Sequence, residues 1–229
     1  MAPTTFHIRN AGSSPSDADF IVAAFDSTIP YLESTGNSGQ WGTQLFSEKD
    51  GFIQSTRDDV GQSEKFRQTG QGERIRTFIA QVHDTEYSDS EDGLVRHVDD
   101  EGKTFLPVGA ITFRDDEFSE HILVHEDLKP HAEQAKAGGG FLFVDVLITD
   151  HRVGQRRRGA GGALVERVKE HAREQGKKAV YIDCWTGGTG KLVPYYEKFG
   201  FKVIQAFEVK RKDGSVWPAK LMRVDISND

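Results

Sequence analysis

Gln155-Arg156-Arg157-Arg158-Gly159-Ala160-Gly161-Gly162-Ala163-Leu164 joins a buried strand to a helix. The strand is the apolar run Phe141-Leu142-Phe143-Val144-Asp145-Val146-Leu147, extended to Thr149. The helix runs from Gly159 to about Gln175, and Gly176 supplies its stop. Glycines let the backbone approach a ligand closely, and amides at a helix start offer donors and partial positive charge to a phosphate. Three consecutive arginines add fixed charge, so the turn reads as an anion site. The bland alternative is tight helix-to-sheet packing with the arginines as a solvated turn. A strand before and a helix after are the context that an anion-binding turn requires.

Outward from this turn the pattern continues with a strand Ala179 to Cys184, a glycine-rich turn and a short helix of about Lys191 to Lys198. Strands Phe201 to Lys210 and Val216 to Asp225 follow, with Asp213-Gly214 as the hairpin turn between them. The two strands around the long helix form a βαβ unit, which requires parallel pairing. Upstream, Phe6-His7-Ile8-Arg9 alternates as a strand, and Ser14-Pro15-Ser16-Asp17 opens a helix over about Asp17 to Ser27. Pro30 interrupts that helix, and residues 35–42 read as a loop. A polar helix over 52–68 ends at Gly70 and Gly72 before the strand Ile75 to His83. The acidic stretch Asp84 to Lys103 reads as a mobile hairpin excursion, Phe105 to Arg114 as a strand, and 115–140 carries no clear pattern.

A chain of 229 residues, 36% hydrophobic, is long enough for a real core and is expected to form a single domain over 1–229. No apolar run is long enough to cross a bilayer, and the start Met1-Ala2-Pro3-Thr4-Thr5 lacks a signal or transit pattern, so the expected compartment is the cytosol, with the nucleus open to it. The single cysteine, Cys184, excludes an internal disulfide and a thiolate zinc site. A formal charge of -7 argues against broad nucleic-acid binding and leans toward cationic ligands. His121 and His125 have the spacing of a helical metal pair but lack a further ligand, so they read as surface histidines, and no metal is expected. A dinucleotide fingerprint fails because Leu164 holds its third glycine position, and a P-loop at Gly187-Gly188-Thr189-Gly190-Lys191 fails at Trp185 and Leu192.

Arg156-x-x-Gly159-x-Gly161 resembles the Gln/Arg-x-x-Gly-x-Gly/Ala signature of the GCN5-related N-acetyltransferase (GNAT) superfamily. Some thirty residues on, Leu192-Val193-Pro194-Tyr195-Tyr196-Glu197-Lys198-Phe199-Gly200-Phe201 resembles its second hallmark, a short helix with tyrosine, three residues, then Gly-Phe. The resemblance implies an α/β GNAT-like fold, with a central mixed, mostly antiparallel twisted sheet flanked by helices and splayed where coenzyme A enters. It implies acetyl-coenzyme A as co-substrate, its pyrophosphate on Arg156, Arg157, Arg158, Gly159, Ala160, Gly161 and Gly162, and its pantetheine arm along Leu147, Ile148 and Thr149. Thr189 stands near the place of the family's usual asparagine, and Tyr31 and Trp41 lie in the region that walls the acceptor pocket.

Acyl transfer to an amine needs a deprotonated nucleophile, a held carbonyl and a proton for the departing thiolate. The Tyr-x-x-x-Gly-Phe spacing selects Tyr196 as the acid, although a buried tyrosine on a short helix also fits core packing. Asp145 interrupts an apolar strand, where burial would raise its pKa toward a useful range, and it is the expected base; an edge residue bonded to a neighbour is the alternative. Asp183, on the next strand, is its competitor near the substrate, and the two can act as a coupled pair. Together these features lead to the expectation of acetyl transfer to a small-molecule amine acceptor, with no nucleic-acid or membrane partner and homodimerisation left open. Protein amino groups are the alternative acceptor, and a non-catalytic coenzyme A sensor is the alternative of another class.

Overall fold

The computed structural model describes residues 4–12, 15–85, 93–211 and 214–227. Eight strands, β1 (His7–Asn10), β2 (Ile75–His83), β3 (His97–Val98), β4 (Thr104–Asp115), β5 (Phe141–Thr149), β6 (Ala179–Trp185), β7 (Lys202–Lys210) and β8 (Val216–Asp225), form one mixed sheet. Its order is β1-β2-β4-β5-β6-β8-β7, with β3 paired to β4. Contacts gather the chain into two compact units, Met1–Thr28 with Gln44–Thr112 and Val146–Leu164, and Ile29–Thr43 with Phe113–Asp145 and Val165–Asp229.

In the first unit β2 is buried along nearly its whole length, the signature of a strand covered on both faces. One cover is α2 (Phe52–Thr69), which starts after Gly51 and ends where Gly70, at φ 66°, turns its amide back to the Phe66 carbonyl at 2.9 Å. The buried Ser63 hydroxyl of α2 accepts the Thr77 amide of β2 at 2.9 Å. Rings of Phe25, Phe46 and Phe52 meet at centroid distances of 4.6 to 5.1 Å and close this core. Of the acidic excursion, residues 86–92 lie outside the described residues. The rest is anchored: Asp84 is buried and paired with Arg96 at 3.1 Å, and His97 and Val98 ladder onto Phe105 and Thr104.

Helix α1 (Pro15–Ser34) corrects the expected stop at Pro30. A helical proline costs about 3 kcal/mol, and burial of two large side chains offsets that cost. Ile29 and Leu32, 3% and 6% exposed, carry the helix past it. The expected cap at Ser14 lies outside the described residues.

In the second unit β5 and β6 pair in parallel, as the βαβ pattern requires, and β6, β8 and β7 are antiparallel. The crossover helix α5 (Ala160–Glu174) buries Val165, Val168 and Ala172. It ends in a Schellman motif, with Lys177 N–H on the Ala172 carbonyl at 2.8 Å and Gly176 N–H on that of Arg173 at 3.0 Å. The stretch that carried no pattern forms α3 (Glu120–Leu123) and α4 (Lys129–Ala137), which bring Ile122, Leu128 and Ala132 onto Phe141, Phe143 and Tyr181 of the sheet. Lys177 pairs with Asp115 and, at 2.7 Å, with Asp116, whose other oxygen accepts the Phe141 amide at 2.8 Å. The short helix α6 (Leu192–Glu197) follows β6, and Asp213 of the expected hairpin turn lies outside the described residues.

Candidate active site

The anion turn belongs to the first unit. Asp150, 1% exposed, ends β5: its Oδ1 accepts the Arg152 amide at 2.9 Å, and its carboxylate binds the Arg152 guanidinium at 2.7 Å. These bonds fix the 3-10 turn His151–Arg157 that leads to α5. Gly159 has φ 97°, a conformation side chains resist, and an added Cβ would press on the Phe6 ring at 3.2 Å. The amides of Ala160, Gly161 and Gly162 then open α5 with no partner inside the helix. Arg156 and Arg158 are exposed, and Arg156 reaches Asp84 at 3.4 Å. Burial, and then the charge of Arg157, push the His151 imidazole down to about 4, so it is neutral at pH 7. Immediately before the turn, Leu147, Ile148 and Thr149 finish β5, with Ile148 buried. Gly109 of β4 lies so close that a Cβ there would stand 2.9 Å from the Ile148 carbonyl oxygen. Amides with no partner inside the helix, a glycine at positive φ and exposed guanidinium groups fit a pyrophosphate.

The candidate chemistry belongs to the second unit. The β5–β6 ladder ends at Val144↔Ile182, so Asp145 and Asp183 are the first residues beyond the last pair on each strand. Strand alternation puts Asp145 on the face of Phe141 and Phe143, and Asp183 on that of Tyr181. Asp145 is engaged from two sides, by Arg114 Nε at 2.6 Å and by the Ser119 hydroxyl. Burial raises its carboxyl above the ordinary range; Ser119 and Arg114 pull it back, and Asp183 adds to the rise. Asp183 stands 3.4 Å from His121 Nε2. Burial lowers the His121 pKa, but Asp183, with Asp145 behind it, outweighs burial and leaves it raised. Arg114, Ser119 and His121 were missed as site residues because Arg114 borders a stretch without periodicity and the other two lie within it; His121 read as a surface residue.

Tyr196 is the buried member of its helix, its ring 5.2 Å from Tyr195 and 6.0 Å from Phe201. Burial first, then Cys184, Tyr195 and Asp183, push its hydroxyl far above the ordinary phenol range. It therefore stays protonated at neutral pH and suits a donor, not a base.

Tyr31, Gln40, Trp185, Thr189 and Lys191 surround a cavity of about 400 Å³ in the same unit. Thr189, expected near the coenzyme, and Tyr31, expected near the acceptor, thus share one wall. Trp41 does not line it. Arg211 and Trp217 bind the Gln40 carbonyl at 2.7 and 3.0 Å, and this anchoring gives the wall to Gln40 in its place. The Trp185 indole lies tight beneath Gly187 and Gly188, where any Cβ would collide with it. Among the described residues no group of three or more His, Cys, Asp or Glu can hold a metal ion, and no helix is long and apolar enough to cross a membrane.

The sequence model of the acetyltransferase (GNAT) family matches residues 63–201. A search of curated proteins found no significant relative. Solved structures share the fold at low identity. A phosphinothricin N-acetyltransferase is 16% identical, with 97% of this chain and 99% of that one covered at a TM-score of 0.53. An acetyltransferase from Salmonella typhimurium, solved with its cofactor acetyl-CoA, is 14% identical, with 98% and 95% covered at 0.54. Arabidopsis thaliana NAA60 in complex with a bisubstrate analogue is 15% identical, with 98% and 100% covered at 0.50. With the family matched across both the glycine-rich turn and the tyrosine helix, the chain belongs to the GNAT acetyltransferases and is an acetyl-CoA-dependent N-acetyltransferase.

Proposed function

We propose that this enzyme moves an acetyl group from acetyl-CoA to the primary amine of a small molecule. The observation that carries the reading is the end of the ladder: β5 runs on to Thr149 after its pairing with β6 stops at Val144. One edge of the backbone of Leu147, Ile148 and Thr149 is thereby left to bond an extended amide-bearing arm. The turn at Arg156 to Gly162 takes the pyrophosphate through the first amides of α5, and Arg156 and Arg158 add charge. Acetyl-CoA supplies the activated acetyl thioester. Asp145 and Asp183 give the end of the β5–β6 ladder the negative charge that favours an incoming ammonium, and the base belongs to this cluster. Tyr196 gives its proton to the departing thiolate.

A small acceptor is supported by the cavity, whose volume of about 400 Å³ falls in the range of small-molecule pockets. The formal charge of -7 adds a general attraction for cations. The test is a panel of small primary amines and basic peptides assayed for free thiol release, beside calorimetry of coenzyme A. Micromolar coenzyme binding with turnover on small amines is expected. Turnover on peptides alone would overturn the acceptor class, and absence of coenzyme binding would overturn the reading as a whole.

A further inference from the structure

Resting on that reading, we propose that His121, oriented by Asp183, is the base that takes the proton from the acceptor ammonium, while Asp145 is a fixed anion. Asp145 has little freedom to serve as base. Arg114 Nε holds one oxygen at 2.6 Å, Ser119 holds the other, and its side chain is 15% exposed. Accepting a proton would neutralise the carboxylate that Arg114 and Ser119 hold, and so break that ion pair.

Asp183 is more enclosed still, at 9%, but its neighbour is titratable and reachable: His121 is 41% exposed, with Nε2 at 3.4 Å from the carboxylate. An Nε2–H directed at Asp183 fixes the tautomer and leaves the Nδ1 lone pair as the acceptor. The charges facing His121 are Asp183 from β6 and Asp145 from β5, with Arg114 of β4 behind Asp145; on α3 itself Glu120 is adjacent, and His125 lies four residues on. The Phe143 ring, 6.4 Å away, supplies an apolar side.

The acceptor cavity lies along the same strand face. Trp185 follows Asp183 by two residues, so both side chains leave β6 on one side, about 7 Å apart along the strand. An acceptor resting on Trp185 brings its amine along that face to His121. The ammonium proton passes to Nδ1, and the freed nitrogen pair forms the C–N bond at the acetyl carbonyl. The C–S bond then breaks and the thiolate takes the Tyr196 proton; the second proton leaves the new amide nitrogen and restores the Tyr196 hydroxyl by way of water, while the imidazolium returns its proton to water.

The pH dependence of kcat/KM tests this, with coenzyme affinity measured by calorimetry in each variant. Wild type is expected to show a limb that rises with pH through a pKa above 6.5. His121→Gln should abolish that limb and lower kcat about 100-fold, with unchanged coenzyme affinity. Asp183→Asn should move the limb to lower pH. Asp145→Asn should keep the limb in place, whatever it does to stability. The proposal is overturned if His121→Gln keeps limb and kcat, or if Asp145→Asn alone removes the limb. A wild-type enzyme that binds no coenzyme sinks the acetyl-transfer reading; one that turns over normally without the His121 limb sinks only the base assignment.

Discussion

The side-chain carbonyl of Asn37 accepts the backbone amide of Thr189 at 3.0 Å, so the segment that follows α1 fixes the loop that follows β6. The same oxygen sits where a Cβ on Gly188 would have to go, and the Trp185 ring fills the space beneath Gly187. Asn37→Leu should therefore loosen the proposed acceptor cavity, raising the acceptor KM about tenfold for a loss near 1.4 kcal/mol, the size of one hydrogen bond. Coenzyme affinity should not follow it. Steady-state kinetics at saturating acetyl-CoA would measure the effect, and an unchanged KM would count against this wall as part of the acceptor site.

Gly109→Ala addresses the other substrate. Its new methyl would stand 2.9 Å from the Ile148 carbonyl oxygen and 3.3 Å from Thr149 Cγ2, so the end of β5 must move. Overpacking of this kind costs about 1–3 kcal/mol. The expected outcome is a lower urea midpoint together with weaker coenzyme A binding. Calorimetry showing full affinity would mean that Leu147 to Thr149 do not carry the pantetheine arm.

Tyr196→Phe removes the proposed proton donor and retains the ring that packs on Tyr195 and Phe201. Turnover should fall about 100-fold, with coenzyme A affinity nearly unchanged. Undiminished kcat with every acceptor would remove Tyr196 from the mechanism.

His151 should make the protein acid-sensitive. Its imidazole is held down to about 4 in the fold, against an ordinary value of 6.5. Between those values the unfolded chain takes up a proton that the folded chain refuses, so stability is complete above 6.5 and declines as pH falls toward 4. Urea midpoints at pH 7.5 and 5.0 should differ less in His151→Gln than in wild type. An equal difference would place the acid sensitivity elsewhere.

The sheet and the glycine-rich turn between β5 and α5 were readable from the amino acids because local rules govern them. Ile75 to His83 and Val216 to Asp225 are continuous apolar or alternating runs bounded by turn residues, and the structure keeps those ends. The pairing of β5 with β6 followed from one intervening helix. Pro30 misled because its local penalty is outweighed by burial of Ile29 and Leu32, which no local pattern announces. Residues 115–140 were opaque for a related reason: α3 is one turn long, too short for periodicity, and only the sheet beneath gives it form. Asp145 was visible as an intruder in an apolar strand. Arg114 and Ser119, 31 and 26 residues away in sequence, were not, since only the folded register brings them to it.

Lys177 grips Asp115 and Asp116, and Asp116 in turn holds the amide that begins β5. Side chains on a strand alternate, so a slip of a single residue would hand the Asp145 position to a valine and turn the carboxylate through the sheet. The clamp at Phe141 therefore works as a parity lock. Four residues downstream, it decides that the strand presents Asp145 on the side of Arg114 and Ser119, and Val144 and Val146 on the other.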